Sequence, residues 1–212
     1  NTGSIKSRNG AAIDLTHEGT GDLTVNLNAV AVEEDGEVSY LDNVVRSSRD
    51  DAIVLNHSNI GNINVNSAVG SEVYGEEDAF DLRHASEGDI NVNIAGSVDS
   101  EDGYIAYLQH SGVGNINFNV LTGGDLLSDA YGVSLYAASG ADSDVFVTTQ
   151  AGTEIDADDV ALEIEHNGVG DVVLDIAGMV ESDDSSAISI AHNGNGLIDV
   201  TLASTAEVNA ER

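Results

Sequence analysis

Apolar and polar residues alternate along almost the whole chain in segments of about five, as in DINVNI at 89 to 94 and NINFNV at 115 to 120. A period of two places every second side chain on one face, so each segment predicts a β-strand with one buried and one exposed side. Gly and Asp turns separate the segments, and no stretch carries the 3.6-residue period of an amphipathic helix.

The segments recur in a fixed order. The first ends in His and is seen in Ile13, Leu15 and His17, and again before His57, His84, His110, His166 and His192; a seventh copy ends in Ala137. Gly follows each His by four residues and opens the second segment. The third is short, with an apolar residue and a small one two places on: Ile5 and Ser7, Val45 and Ser47, Val98 and Ser100, through to Val208 and Ala210. Counting Ala137, the His positions are spaced by 40, 27, 26, 27, 29 and 26 residues. The long interval places an inserted loop at 32–43, with the third strand resuming at Val45.

Three strands per repeat and one constant phase predict an all-β fold: a single right-handed parallel β-helix, a solenoid of about seven coils spanning residues 1–212, with three short strands per coil. A coil cannot bury its apolar side alone, so stacking closes the core. An antiparallel sandwich also has alternating strands, but gives no reason for one phase of His, Gly and Asp. The absence of Pro fits, because Pro inside a coil would remove a ladder hydrogen bond.

The unit from Ala161 to Ser182, with the stretch IEHNGVGD at its corner, resembles repeats in the passenger regions of bacterial autotransporters. These are secreted cell-surface proteins, generally right-handed β-helices, that pass through an outer-membrane barrel. The resemblance implies an extracellular or cell-surface location and a stalk or adhesin role; it carries no catalytic residue, since passengers include adhesins, self-associating proteins and enzymes alike. The barrel and a signal sequence are not part of this stretch.

Composition narrows the partners. Six basic residues against 38 acidic ones give a formal charge of -32, which repels nucleic acid and anionic membranes, and no apolar run is long enough for membrane insertion. Such acidity fits a calcium-rich medium or a salty habitat. Without Cys there is neither a disulfide framework nor a thiolate site.

The six His share the parity of the apolar residues before them, so they are expected to point inward and to bond the backbone of the H-x-G-x-G corner. A metal stair or pH sensor is the alternative reading, but one His per coil makes a line and not a converging set. Inward burial would hold the rings neutral and cost stability below a pH of about 6.

Acidic turn residues follow the third strand: Glu76, Glu77 and Asp78; Glu101 and Asp102; Asp158 and Asp159; Asp183 and Asp184. They are candidate calcium ligands or a solvated face, and diffuse binding is the preferred form because the G-G-x-G-x-D nonapeptide is absent. Outward Asn pairs, such as Asn91 and Asn93, predict an amide ladder. Tyr107 and Tyr136, beside Arg83 and Gln109, form a candidate sugar platform.

No G-x-S-x-G, phosphate loop or H-E-x-x-H occurs, and Arg83 is the only cation between Asp50 and Glu211, so no enzymatic activity and no cofactor beyond calcium are expected. Neither end shows a capping helix. End-to-end contact is expected between Ile5, Lys6, Ser7 and Arg8 of one chain and Glu207, Val208, Ala210 and Glu211 of another, unless the same ends continue a longer solenoid. The remaining partner expectation is a cell-surface carbohydrate or protein receptor, with a carbohydrate-binding or polysaccharide-degrading β-helix as the alternative function.

Overall fold

The computed structural model describes residues 3–34, 37–41 and 43–211, the side chains of 30–42 excepted. The chain begins with β1 (Ser4–Ser7), β2 (Ile13–His17) and β3 (Leu23–Leu27), followed by β4 (Val30–Glu34) and β5 (Glu37–Leu41). Regular coils then follow: β6 (Asn43–Ser47), β7 (Ile53–His57), β8 (Ile63–Ser67); β9 (Ser71–Gly75), β10 (Phe80–His84), β11 (Ile90–Ile94). Next come β12 (Ser97–Ser100), β13 (Tyr104–His110), β14 (Ile116–Val120); β15 (Asp125–Ser128), β16 (Tyr131–Ala137), β17 (Val145–Thr149). The last are β18 (Glu154–Ala157), β19 (Leu162–His166), β20 (Val172–Ile176); β21 (Met179–Ser182), β22 (Ile188–His192), β23 (Ile198–Leu202) and β24 (Glu207–Ala210).

With β4 and β5 set aside, every third strand joins the same sheet, and the result is a right-handed parallel β-helix. The serine sheet has eight strands, β1-β6-β9-β12-β15-β18-β21-β24. The histidine sheet, β2 to β22, and the asparagine sheet, β3 to β23, have seven each. Register is uniform: Leu15, Leu55, Leu82, Leu108, Leu135, Ile164 and Ile190 form one inward row of the histidine sheet.

These rows meet in a thin core of branched side chains, with Phe80 and Phe118 the largest fully buried. Burying each Val, Leu or Ile contributes on the order of 1.5–3 kcal/mol, and that gain exists only where a coil lies on both sides. At the ends it is lost. Ile198 (50%) and Leu202 (54%) are half exposed, although their register partners Val172 and Ile176 are fully buried.

The expected inserted loop at 32–43 is an antiparallel pairing of β4 with β5 that begins two residues earlier, at Val30, and takes the extra residues out of the parallel sheets. Asp35, Gly36 and Asp42 of that segment lie outside the described residues. The serine sheet resumes at Asn43, two residues earlier than Val45.

Candidate functional site

The corner after the histidine strand is set by glycine. Gly88 has φ +139°, and a Cβ there would collide with the carbonyl of Gly61 one coil below; Gly61, Gly114 and Gly170 repeat the arrangement. Into this corner five of the six rings donate from Nε2 to the carbonyl below: His57 to Gly21 (2.7 Å), His84 to Gly61 (2.6 Å), His110 to Gly88 (2.7 Å), His166 to Ser143 (2.7 Å) and His192 to Gly170 (3.0 Å).

The second nitrogen accepts. Nδ1 of His57, His84, His110 and His192 takes the backbone N–H two residues on, at 3.1–3.2 Å. With one nitrogen donating and the other accepting, the ring is the neutral Nε2–H tautomer. Burial pushes the imidazolium form of His84 and His110 down from the ordinary range, more than their backbone bonds raise it. Successive rings stack at 4.9 and 5.0 Å from His57 through His84 to His110. All ring nitrogens of these three are thus spent on backbone, which leaves none to ligate a metal. His17, at the open end, meets His57 edge-on at 87°.

Ala137 interrupts the ladder. Two buried polar side-chain atoms lack a partner among the described residues: Ser143 Oγ, in the Ala137 corner itself, and His166 Nδ1, on the next coil.

The outward face of the histidine sheet carries the aromatic candidates. Arg83, Gln109 and Tyr136 are in register on β10, β13 and β16, and Tyr107 lies in the neighbouring row between Asp81 and Ser134. The Arg83 guanidinium is held by both oxygens of Asp81 (2.8 and 3.0 Å) and sits 5.3 Å from the Tyr107 ring centre. Two further rings extend the group: Tyr104 lies 5.8 Å from Tyr107 and stacks on Tyr131 at 5.0 Å. Tyr104 and Tyr131 are 27 residues apart, one repeat, so aligning the residues before the histidine strand exposes the pair in the sequence.

The acidic corner is divided among several uses. Glu76 and Glu101 both accept from the Tyr74 hydroxyl, and that ring lies under the Arg46 guanidinium at 3.9 Å. Asp51 Oδ1 accepts the Asp78 N–H, and Asp78 Oδ1 that of Tyr104, so these two carboxylates splint coil to coil. Burial, with the charges of Asp51, Asp81 and Glu77, pushes Asp78 up to about 6. Glu77 converges with Asp50 and Asp51, each offering an oxygen within 4.8 Å of the others. Asp102, Asp158, Asp159 and Asp184 line one shallow groove of about 440 Å³ with Asp129 and Tyr131. Asp183 stands beside it and helps to raise Asp156 and Asp158, both shifted mainly by burial.

The end residues lie apart, at opposite ends of the serine sheet. Ile5, Lys6 and Ser7 sit on β1 against Val45, Arg46 and Ser47, and Arg8 lines a cleft with Arg49. Val208 and Ala210 sit on β24 against Val180 and Ser182, with Glu207 opposite Met179, and Glu211 donates its N–H to Ser182. Comparison with protein-family models, with curated proteins and with solved structures finds no match.

Proposed function

We propose that the chain is a non-enzymatic structural β-helix of the bacterial cell surface or extracellular space, a stalk or adhesin passenger, that associates end to end with copies of itself or with further coils of a longer solenoid. The observation that carries this reading is the open core at both ends, where Ile5, Leu15, Ile198, Val200 and Leu202 are exposed in the same phase that buries their counterparts inside. An exposed apolar cross-section edged by unpaired strands favours addition of another coil. Electron microscopy of the purified chain tests it. Rods that are multiples of a seven-coil unit of roughly 35 Å are expected, and monodisperse short particles defeat self-association.

The stacked Tyr104 and Tyr131 beside Tyr107 and Arg83 favour a second reading, a carbohydrate-binding face. Glycan-array binding lost in Tyr107→Ala and Tyr131→Ala, with unchanged melting, is its expected signature. Binding that survives both substitutions removes it.

A further inference from the structure

Outside the apolar core, side chains clamp one coil to the next. Asn64 and Asn66 donate to Thr24 and Asn26 of the coil below, and His57 meets His17. One coil on, Asn91 and Asn93 donate to Asn64 and Asn66, and His84 stacks on His57. The same files then reach Asn117, Asn119 and His110. From β12–β14 to β15–β17 the clamps change but persist: Ser100 donates to Ser128, Tyr104 stacks on Tyr131, and Thr122 donates to Gln150. From β18–β20 to the coil that follows, Asn193 donates to Asn167, and His166 lies 4.6 Å from His192.

The boundary between β15–β17 and β18–β20 is different. Among the described residues, no side chain bonds another across it and no two rings meet there. Each file fails at this level through its own substitution. The imidazole file is broken by Ala137, opposite His166, and the serine file by Ala157, opposite Ser128. The asparagine files have ended, leaving Phe146 opposite Val173 and Thr148 opposite Asp175. In the serine sheet Asp125 faces Glu154, like charges in register. The unpartnered Ser143 Oγ and His166 Nδ1 lie on the two sides of this same boundary. Still crossing it are the backbone ladders, core rows such as Leu135 on Ile164, and bonds between side chain and backbone: His166 to the Ser143 carbonyl, the Asp171 N–H to Asp144, and the N–H groups of Ala177 and Gly178 to Thr149.

We infer that the rod contains a built-in joint between the coil of 125–149 and that of 154–176, and that the coils on its two sides open as separate cooperative blocks. The joint lies inside the solenoid and does not depend on what the ends contact. In a solenoid, stability is approximately a sum of coil contributions and nearest-neighbour boundary contributions, so cooperation between coils gives way at the weakest boundary. The core continues through the joint; the clamps that couple one coil's loss to the next do not.

The positions of the aromatic residues make the joint measurable. All six Tyr, at 40, 74, 104, 107, 131 and 136, precede it, and the chain has no Trp. Tyrosine fluorescence therefore follows one block, whereas far-UV circular dichroism follows both. In urea the two signals are expected to give separate midpoints, and coincident curves overturn the joint. A chain carrying Ala157→Ser and Thr148→Asn puts polar partners back across the boundary, the first between Ser128 and Ser182, the second between Asn119 and Asp175. Its two curves are expected to converge; curves that stay as far apart as in the native chain overturn the assignment of the joint to the missing clamps. Hydrogen exchange of the native chain provides a second measurement that needs no variant. Rates are expected to be alike in β11 and β14 and to differ by roughly tenfold or more in β20. Rates that change by one constant factor from each coil to the next would describe fraying without a joint and overturn it.

Discussion

His110 has no solvent exposure and both of its nitrogens are bonded to backbone, so adding a proton would cost the Gly112 N–H its acceptor and place a cation in the core. Its pKa lies below the ordinary value of about 6.5, which fixes the sign. Above that pH both folded and unfolded chains are neutral at this site, and stability is fully present; as pH falls the unfolded chain takes the proton first, and stability is lost until the folded pKa is passed. Asp78, raised to about 6, works in the opposite direction, since the folded chain holds its proton between about 6 and the ordinary 3.8. A melt of the native chain alone therefore mixes the two. His110→Gln is expected to lower the melting temperature at pH 7.5, and the gap from the native chain should narrow at pH 5; a gap that stays constant would mean that the ring does not titrate differentially. Ser143 gives a second test in the corner without an imidazole. A buried hydroxyl lacking a partner costs about 1–3 kcal/mol, so Ser143→Ala should stabilise, read as a raised midpoint in urea. The inward parity of the histidines was legible from Ile13, Leu15 and His17. Which carbonyls accept was not, because they belong to the coil below and the pairing depends on register between residues 22 to 36 apart in the chain.

At the scale of the strand, the asparagine sheet shows how one residue type becomes a continuous element. Asn66, Asn93 and Asn119 link Nδ2 to Oδ1 from coil to coil at 2.9–3.0 Å, starting from Asn26, and a second file runs from Thr24 through Asn64, Asn91 and Asn117. Both files stop where Phe146 and Thr148 take the outward positions. Position in the file should decide cost: Asn93→Ala breaks a donated and an accepted bond, whereas Asn119→Ala breaks one. At about 1 kcal/mol per bond, urea unfolding should place Asn93→Ala near twice the loss of Asn119→Ala, and equal losses would show that the amides do not act as a ladder. Period-two patterning made these strands and their faces readable, since a one-residue slip would expose a whole apolar row. The β4–β5 pairing was not readable as part of the repeat, because its partner strands lie within the insertion and share no phase with any coil. Tyr104 and Tyr131 stand two residues ahead of the five-residue histidine segments, and β13 and β16 run seven residues and include them.

Over the whole molecule, stacking in register turns a sequence repeat into files of like charge. Asp156 is raised first by burial and then by Asp183, Glu181 and Asp158, and Glu154 likewise by burial and then by Asp125, Asp156 and Glu181. Opposing charge is scarce: among the described residues the only salt bridge is Arg83 with Asp81. The same parallel pairing that buries the core therefore sums repulsion along the rod, and a net charge of -32 has to be balanced by counterions. Screening length falls from about 30 Å at 0.01 M salt to about 8 Å at 0.15 M, still longer than the roughly 4.8 Å between coils but short enough to uncouple carboxylates two coils apart. Thermal stability is expected to rise steeply over that range of sodium chloride. Calcium chloride at matched ionic strength should add a further rise, because a divalent ion neutralises two carboxylates at once, and the addition should shrink in a chain carrying Asp50→Asn and Glu77→Gln if the three converging oxygens hold part of it. Equal rises with both salts would confine the effect to screening, and a melting temperature indifferent to salt would mean that the stacked carboxylates do not limit the stability of the rod.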